Sequence, residues 1–282
     1  MMHVDCQICE KDNSKIIKKE DIWNIVQCKN CGFAYMNPQP DENYLKQHYQ
    51  NYLPTDQSEI EDWKYMMSGV FRKSLDIIDK STYNTNPKKL LDIGCGYGFF
   101  LQMATERNWT ASGIDLSEKA TSYAKSKGLD ASNTNLFEKN YRDEEFNVIT
   151  MFYVLEHLPN PTKYLQEVYR ILKPHGLLLI RVPHTTPIAK MLKTFNIPNK
   201  LYDAPSHLSD FSPRTIKQLL KKVKFKDMRT TIGGMTYPAS LAERHTSCFF
   251  GTLATFLDKV TFGRCLLPGV SKTTIARKKS NA

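Results

Sequence analysis

Four cysteines near the start of the chain have the spacing of a metal site. Cys6 and Cys9 form one C-x-x-C pair, and Cys28 and Cys31 form a second. Two thiolates separated by two residues can bind one ion, and four of them complete a tetrahedral zinc shell with no open position. The pattern therefore predicts a structural Zn²⁺ site, and a ribbon of this size needs its metal to fold. Disulfides are the alternative, but they are rare in intracellular proteins.

A glycine-rich turn follows a short apolar run in the middle of the chain. Residues 90–93 can form a buried parallel strand, and Gly94, Gly96 and Gly98 then give the pattern G-x-G-x-G. Glycines permit a turn too tight for side chains. Strand, turn and helix together begin a doubly wound α/β unit, whose ligands bind beyond the carboxyl ends of the strands. Phe99 stands where a dinucleotide fingerprint has its third glycine, which argues against NAD or FAD.

An acidic residue follows the next predicted strand. Asp115 comes directly after residues 110–114, where a carboxylate can accept hydrogen bonds from a ribose. With residues 92–98 as a first motif and Asp115 as a second, the sequence resembles the class I S-adenosylmethionine-dependent methyltransferases. The alternative is that the glycines only form a tight turn. The resemblance implies that the cofactor is held by Asp92, Gly94, Cys95, Gly96, Gly98, Asp115, Leu116, Asn135, Leu136 and Tyr153.

One of these positions departs from the pattern of the family. Asn135 stands where the family often has an acid that binds the adenine amino group. An amide oxygen can still accept from that group, or the side chain can simply turn the backbone. The backbone N–H of Leu136 is the expected second contact to adenine. Cys95 lies inside the glycine motif and has no ligand spacing, so its side chain is interpreted as a packing group.

Two histidines are candidates for catalysis. His157 lies in V-L-E-H-L-P-N-P, which resembles the family segment beside the methionine end of the cofactor, and His207 lies in H-L-S-D-F-S-P. A histidine could remove the proton of an acceptor, or it could anchor its loop. Glu156 is expected to be a structural partner. Because no cluster of metal ligands is evident near the crevice, we expect metal-independent, in-line methyl transfer.

Alternating strands and helices must position these groups. The pattern predicts strands at 89–93, 110–114, 129–132, 146–151 and 176–182, with helices at 99–108, 117–127, 161–172 and 213–222. Ser117 and Ser212 are the predicted N-caps of the second and fourth of these helices. Antiparallel strands at 229–232 and 273–276 would complete the sheet. The predicted fold class is α/β, with a Rossmann-like doubly wound sheet of the seven-stranded methyltransferase type and a small N-terminal zinc ribbon.

The predicted organisation has three parts. Residues 1–37 form the ribbon, residues 38–87 form an aromatic-rich helical linker or lid, and residues 88–282 form the cofactor-binding domain. Its acceptor-side insertion lies at about 184–210, and residues 184–205 within it are expected to be irregular and to shape the acceptor pocket. Residues 248–257 are apolar but too short to span a bilayer. They predict a core helix, with a pocket cap or peripheral membrane contact as the alternative.

Composition sets the class of acceptor only loosely. No apolar run is long enough to cross a membrane, and the N-terminus lacks the features of a signal peptide, so we expect a cytoplasmic protein. The resemblance is to zinc-ribbon methyltransferases often associated with sugar or glycan pathways, and implies O-methylation of a sugar or another small-molecule or glycan-type acceptor. The formal charge of +10 suits phosphate contacts. The chain also resembles ribosomal-RNA methyltransferases that carry an N-terminal zinc module. The alternative is therefore an rRNA or other nucleic-acid methyltransferase that binds RNA through its zinc module.

Overall fold

The computed structural model describes residues 1–50, 52–82, 86–183, 185–232 and 271–280. The N-terminal ribbon is an antiparallel meander of β1 (Ser14–Glu20), β2 (Trp23–Cys28) and β3 (Ala34–Met36). A short strand from the acceptor-side insertion, β9 (Ser209–Asp210), pairs with the free edge of β3. The ribbon sheet is therefore completed by a segment that lies far away in sequence.

Two helices connect the ribbon to the main sheet. They are α1 (Glu42–Gln50) and α2 (Gln57–Ser81). The side chain of Asp56 caps α2 by accepting a hydrogen bond of 2.8 Å from the N–H of Ser58. Val70, Phe71 and Leu75 lie on the buried face of α2, so this helix covers one side of the main sheet.

The main sheet has seven strands in the order β10-β11-β8-β7-β4-β5-β6. Their bounds are β4 (Lys89–Ile93), β5 (Thr110–Asp115), β6 (Asp130–Asn133), β7 (Phe146–Phe152), β8 (Leu172–Pro183), β10 (Lys226–Ile232) and β11 (Ser271–Arg277). Strand β11 runs antiparallel to both of its neighbours, β10 and β8, and the other neighbouring pairs described are parallel. This order confirms the seven-stranded doubly wound sheet, and the direction of winding reverses between β4 and β7. The ligand crevice of such a fold lies beyond the carboxyl ends of these two strands.

Several of the helices around the sheet begin at local capping residues. They are α3 (Phe99–Glu106), α4 (Glu118–Ser126), α5 (Pro161–Ile171), α6 (Thr185–Thr194) and α7 (Pro213–Lys222), with a 3-10 turn at Leu155–His157. The side chain of Ser117 accepts from the N–H of Ala120 at the start of α4. At the start of α7, Ser212 and Thr215 form a capping box. Local sequence therefore determines the ends of α4 and α7.

The expectation that residues 184–205 are irregular is wrong over α6. The N–H groups of Thr185 and Thr186, at the start of this helix, donate to the carboxylate of Asp210 at 3.3 and 3.1 Å. A helix needs such acceptors for its first N–H groups. Because this cap comes from a residue about 25 positions away, no local capping pattern in the sequence predicts the start of the helix.

The ribbon and the main domain share one hydrophobic core. Phe33 of the ribbon packs on Phe211, with ring centroids 5.1 Å apart, and both belong to the buried cluster that also contains Leu158 and Ile216. No helix in the described ranges is long and apolar enough to cross a membrane. The predicted helix at 248–257 lies outside the described residues.

Candidate functional site

The glycine turn after β4 has the backbone that its sequence predicts. Gly94, Gly96 and Gly98 all have positive φ, at 75°, 50° and 78°, a conformation that side chains disfavour. A Cβ atom at Gly94 would lie only 2.3 Å from Cγ2 of Val154. Glycine is thus required at Gly94 for two reasons, the backbone conformation and the close approach of the loop after β7.

The acid after β5 is joined directly to this turn. Oδ2 of Asp115 accepts a hydrogen bond of 2.8 Å from the N–H of Gly96, and Oδ1 accepts one of 2.9 Å from the N–H of Ser117. Burial raises the pKa of Asp115, although these donors oppose the effect. The structure therefore brings the two predicted cofactor motifs together at the carboxyl ends of β4 and β5.

Asp92 is placed beneath the turn rather than in it. Its side chain is 2 % exposed and accepts a hydrogen bond of 2.6 Å from Oγ1 of Thr150 on β7. Burial raises its pKa to about 8, with a smaller contribution from Asp115 in the same direction and an opposing one from Thr150. The side chain joins β4 to β7 and supports the turn from below.

The residues expected around the adenine ring have different surroundings. Leu116 is 47 % exposed beside Asp115, as an apolar side chain available to a ligand would be, whereas Leu136 is buried in the core. Oδ1 of Asn135 accepts hydrogen bonds of 2.9 and 3.0 Å from the N–H groups of Phe137 and Glu138. The accepting oxygen of Asn135 is thus already engaged in turning the chain.

Tyr153 has backbone and side-chain roles within the sheet. Its φ is 56°, and its hydroxyl accepts a hydrogen bond of 2.7 Å from Nε of Arg181 and lies 2.8 Å from Oγ of Ser271. Arg181 is completely buried. The hydroxyl of Tyr153 is therefore directed to β8 and β11, and it partners a buried cation.

A segment of the linker lies over the crevice. Leu53 lies 3.8 Å from where a Cβ of Gly96 would be, and the hydroxyl of Tyr97 donates to the carbonyl oxygen of Pro54. The ring centroid of Tyr52 lies 5.3 Å from that of His157. The same short segment thus contacts the glycine turn and the predicted acceptor side.

The two candidate histidines meet on the acceptor side. Their ring centroids are 4.9 Å apart. Nδ1 of His157 donates a hydrogen bond of 2.8 Å to the carbonyl oxygen of Ser206. Burial lowers the pKa of His157 to about 3 and that of His207 to about 4. Both rings are therefore neutral at neutral pH, and in this environment both are weak bases.

Glu156 joins these histidines. Its side chain is 1 % exposed, and neither carboxylate oxygen accepts a hydrogen bond from another described residue. Burial raises its pKa to about 8. Glu156, His157 and His207 each place one possible ligand atom within 4.8 Å of the others. The expectation that no cluster of metal ligands lies near the crevice is wrong, because folding brings His207 to a motif that lies about 50 residues earlier.

The four ribbon cysteines also converge. Sγ of Cys6 lies 3.4 Å from Sγ of Cys31, Sγ of Cys9 lies 3.5 Å from that of Cys28, and all four sulfurs lie within 4.8 Å of one another. A tetrahedral shell with Zn–S bonds of about 2.3 Å has sulfurs about 3.8 Å apart. The residue after each pair has positive φ, which bends both turns alike. The four thiols therefore fit a single zinc ion.

Comparison with known proteins gives the family. A family model described as a methyltransferase domain matches residues 66–229, which include the glycine turn, Asp115 and both histidines. The chain belongs to this methyltransferase-domain family. This match confirms the resemblance to methyltransferases that the sequence motifs indicated.

Curated relatives of this methyltransferase-domain chain include ubiquinone biosynthesis O-methyltransferases, of which two are described. The protein from Pseudomonas entomophila (strain L48) is 29% identical over 131 residues, covering 44% of this chain and 56% of the relative. The protein from Actinobacillus pleuropneumoniae serotype 5b (strain L20) is 34% identical over 129 residues, covering 42% and 55%. The chain thus spans about half the length of these curated relatives.

Solved methyltransferase structures share the fold. A SAM-dependent methyltransferase from Archaeoglobus fulgidus has a TM-score of 0.56 at 19% identity and covers 79% of this chain and 100% of its own. Phosphoethanolamine N-methyltransferase 2 of Haemonchus contortus, in complex with S-adenosyl-L-methionine, has a TM-score of 0.58 at 14% identity and covers 94% and 71%. At these identities the similarity supports the fold alone.

Proposed function

We propose that this protein transfers the methyl group of S-adenosylmethionine to a hydroxyl group of a small molecule. The observation that carries the proposal is the hydrogen bond between the N–H of Gly96 and Oδ2 of Asp115. It joins the two motifs of a methyltransferase-domain chain into one cradle at the carboxyl ends of β4 and β5, next to the switch point where ligands of this fold bind.

The residues of the cradle fit the cofactor. Gly94, Gly96 and Gly98 carry no side chains to obstruct a ligand, Asp115 offers a carboxylate to ribose hydroxyls, and exposed Leu116 offers an apolar surface to adenine. When bound, S-adenosylmethionine supplies a sulfonium methyl group that a nucleophile can attack. The protein has to hold the acceptor in line with that methyl group and exclude water.

The names of the relatives support the proposed class of methyl acceptor. Both curated relatives are named O-methyltransferases of ubiquinone biosynthesis, which supports a small hydroxyl compound. A sugar stays a prediction that these relatives do not support. RNA stays the alternative prediction, which these relatives do not support either. The cytoplasmic location likewise stays a prediction.

Two further roles belong to the same proposal. Cys6, Cys9, Cys28 and Cys31 would hold one structural Zn²⁺, which leaves no open position for chemistry. Residues 52–54 would act as a lid, because they contact both the glycine turn and His157. The side chain of Tyr153 would support the crevice from the sheet rather than bind the cofactor through its hydroxyl.

Calorimetric titration with S-adenosylmethionine tests the cofactor assignment. We expect Asp115→Asn to weaken binding by about 10- to 100-fold, the effect of losing a charge-assisted hydrogen bond. Asp130→Asn is the matched control, since Asp130 is exposed at the opposite end of the neighbouring strand. Equal binding by the wild type and Asp115→Asn would remove the cofactor assignment. Incubating the protein with methyl-labelled cofactor and fractionated metabolites would then identify the acceptor.

A further inference from the structure

Glu156 is buried with no hydrogen bond to its carboxylate from another residue in the described part of the chain. Neither carboxylate oxygen accepts a hydrogen bond from another described residue, although the side chain is 1 % exposed. Burying a carboxylate is strongly unfavourable unless the group is neutralised, paired or bound to a cation. The charge of the buried Lys272 favours the ionised form of Glu156, but Lys272 donates no hydrogen bond to it, so both carboxylate oxygens are available to an ion. The position of Glu156 in the 3-10 turn after β7 places this group beside the crevice.

His157 makes the hydrogen bond that a ligating histidine typically makes. Its Nδ1 donates to the carbonyl oxygen of Ser206 at 2.8 Å, so Nε2 carries the free lone pair. Histidines that bind metals almost always donate their other ring N–H to a carbonyl or carboxylate in this way. Tyr49 supports the same carbonyl oxygen with a hydrogen bond of 2.7 Å. The backbone of Ser206 thus fixes both the tautomer and the direction of the ring.

His207 supplies a third donor from a different part of the chain. One ring nitrogen of His207, one of His157 and one oxygen of Glu156 lie within 4.8 Å of one another. Two imidazoles and one carboxylate are a donor set for zinc, manganese or iron, and three protein ligands leave positions open for another molecule. The set differs from the thiolates of the ribbon, which favour softer ions and close their shell.

We propose that Glu156, His157 and His207 bind one divalent transition-metal ion, and that this ion binds the acceptor hydroxyl. The second half of the proposal rests on the proposed function. The ion would lower the pKa of the bound hydroxyl, so that the acceptor oxygen releases its proton to water. That oxygen then forms the new C–O bond as the methyl C–S bond breaks, and the step needs no oxidant or reductant.

The site lies where such a role requires it. Val154, two residues before Glu156, packs against Gly94 of the glycine turn. On the other side, His207 lines a small pocket together with Tyr202 and Asp210. An ion at this position would lie between the cofactor crevice and the pocket. In this arrangement His157 and His207, which are weak bases when buried, act as metal ligands.

Manganese binding followed by electron paramagnetic resonance tests the site. The full chain is used with one equivalent of Zn²⁺, which the four ribbon thiolates bind in preference, and Mn²⁺ is the probe because thiolates bind it poorly. We expect one Mn²⁺ per chain, with at least about tenfold weaker binding in Glu156→Gln and in His207→Ala. His175→Asn is the matched control, since His175 is exposed within β8 and asparagine tolerates its positive φ.

Three results would overturn the proposal. They are absence of Mn²⁺ binding by the wild type, unchanged binding in both site variants, and binding that disappears only in His3→Ala, which would assign the ion to the exposed group of His3, Asp5 and Asp12. Thermal unfolding and S-adenosylhomocysteine titration of each variant exclude misfolding as the cause. Cofactor binding without Mn²⁺ binding would reject the metal site alone, and the reverse would reject the proposed function alone.

Discussion

The backbone N–H of Leu208 donates a hydrogen bond of 2.8 Å to the carbonyl oxygen of Glu156. The carbonyl oxygen of Leu208 in turn accepts one of 2.9 Å from the N–H of Met36, on the last strand of the ribbon. One residue of the insertion therefore connects the ribbon to the turn that carries Glu156 and His157. The ribbon is part of the framework that holds the acceptor side.

Loss of one zinc ligand should loosen this framework. The binding energy of a structural zinc ion is folding energy for its module, so we expect Cys28→Ala to lose zinc and to increase hydrogen exchange in residues 153–158 and 206–211. Metal analysis and exchange mass spectrometry measure both effects. Cys95→Ala, which removes a buried thiol outside the cluster, should keep its zinc. Unchanged exchange at 153–158 in Cys28→Ala would contradict the connection.

Two glycines with nearly the same φ allow strain and clash to be separated. Gly94 has φ 75° and would collide with Val154, whereas Gly128 has φ 77° and open space around its Cβ position. We expect Gly128→Ala to cost about 1 kcal/mol of unfolding free energy from backbone strain alone, and Gly94→Ala to cost about 1–3 kcal/mol more from the clash.

Denaturant unfolding measures both variants. Adding Val154→Ala to Gly94→Ala removes the colliding methyl group, so it should recover much of the extra loss. Equal costs at the two glycines would show that Val154 does not restrict the turn.

The buried Asp92 predicts a pH-dependent difference in stability. Its pKa rises from 3.8 when unfolded to about 8 when folded, because of burial. The folded state binds the extra proton between these values, so the stability that this group contributes is lost as pH rises through that window. An asparagine at this position does not titrate. The stability of Asp92→Asn relative to the wild type should therefore increase by about 3 kcal/mol between pH 5 and pH 7.

Urea unfolding of the cofactor-free proteins at several pH values measures this difference. Thr150 can still donate to the amide oxygen of the variant, so packing is largely preserved. A difference in stability that stays constant with pH would mean that Asp92 is ionised in the folded protein.

The hydroxyl of Tyr153 should matter for stability more than for cofactor affinity. In Tyr153→Phe, the buried guanidinium of Arg181 loses an acceptor that lies 2.7 Å from its Nε. Loss of a hydrogen bond to a charged group costs about 1.5–3 kcal/mol. We expect this loss in unfolding experiments and less than about a threefold change in S-adenosylmethionine affinity. A large loss of S-adenosylmethionine affinity with normal stability would mean that the hydroxyl of Tyr153 contacts the cofactor after all.

Local sequence was enough to predict much of the main sheet. Strand β4 has the predicted bounds, and the caps at Ser117 and Ser212 begin α4 and α7 as expected. These features depend on alternation, caps and glycines within a few residues. The four cysteines converge for the same reason, since the spacing of each pair already brings two sulfurs to one point.

Features built from distant residues were not predictable in this way. The N-terminal cap of α6 comes from Asp210, and β9 exists only as a partner of β3. The group of Glu156, His157 and His207 likewise depends on tertiary contacts across about 50 residues. Both histidines could be predicted as candidates from the sequence motifs, but their position in one site with a buried carboxylate is evident only in the folded structure.

The pairing of β3 with β9 has a consequence for exchange between related proteins. In a chimaera that replaces residues 1–37 alone, the edge strand of the other protein would have to pair with residues 209 and 210 of this chain. The replacement would also remove Glu20, whose carboxylate accepts from the N–H groups of Tyr202 and Ala204. The ribbon and the segment 185–211 therefore form one structural unit, whose two parts can be exchanged only together. We expect acceptor preference to pass between homologues only when both are transplanted together.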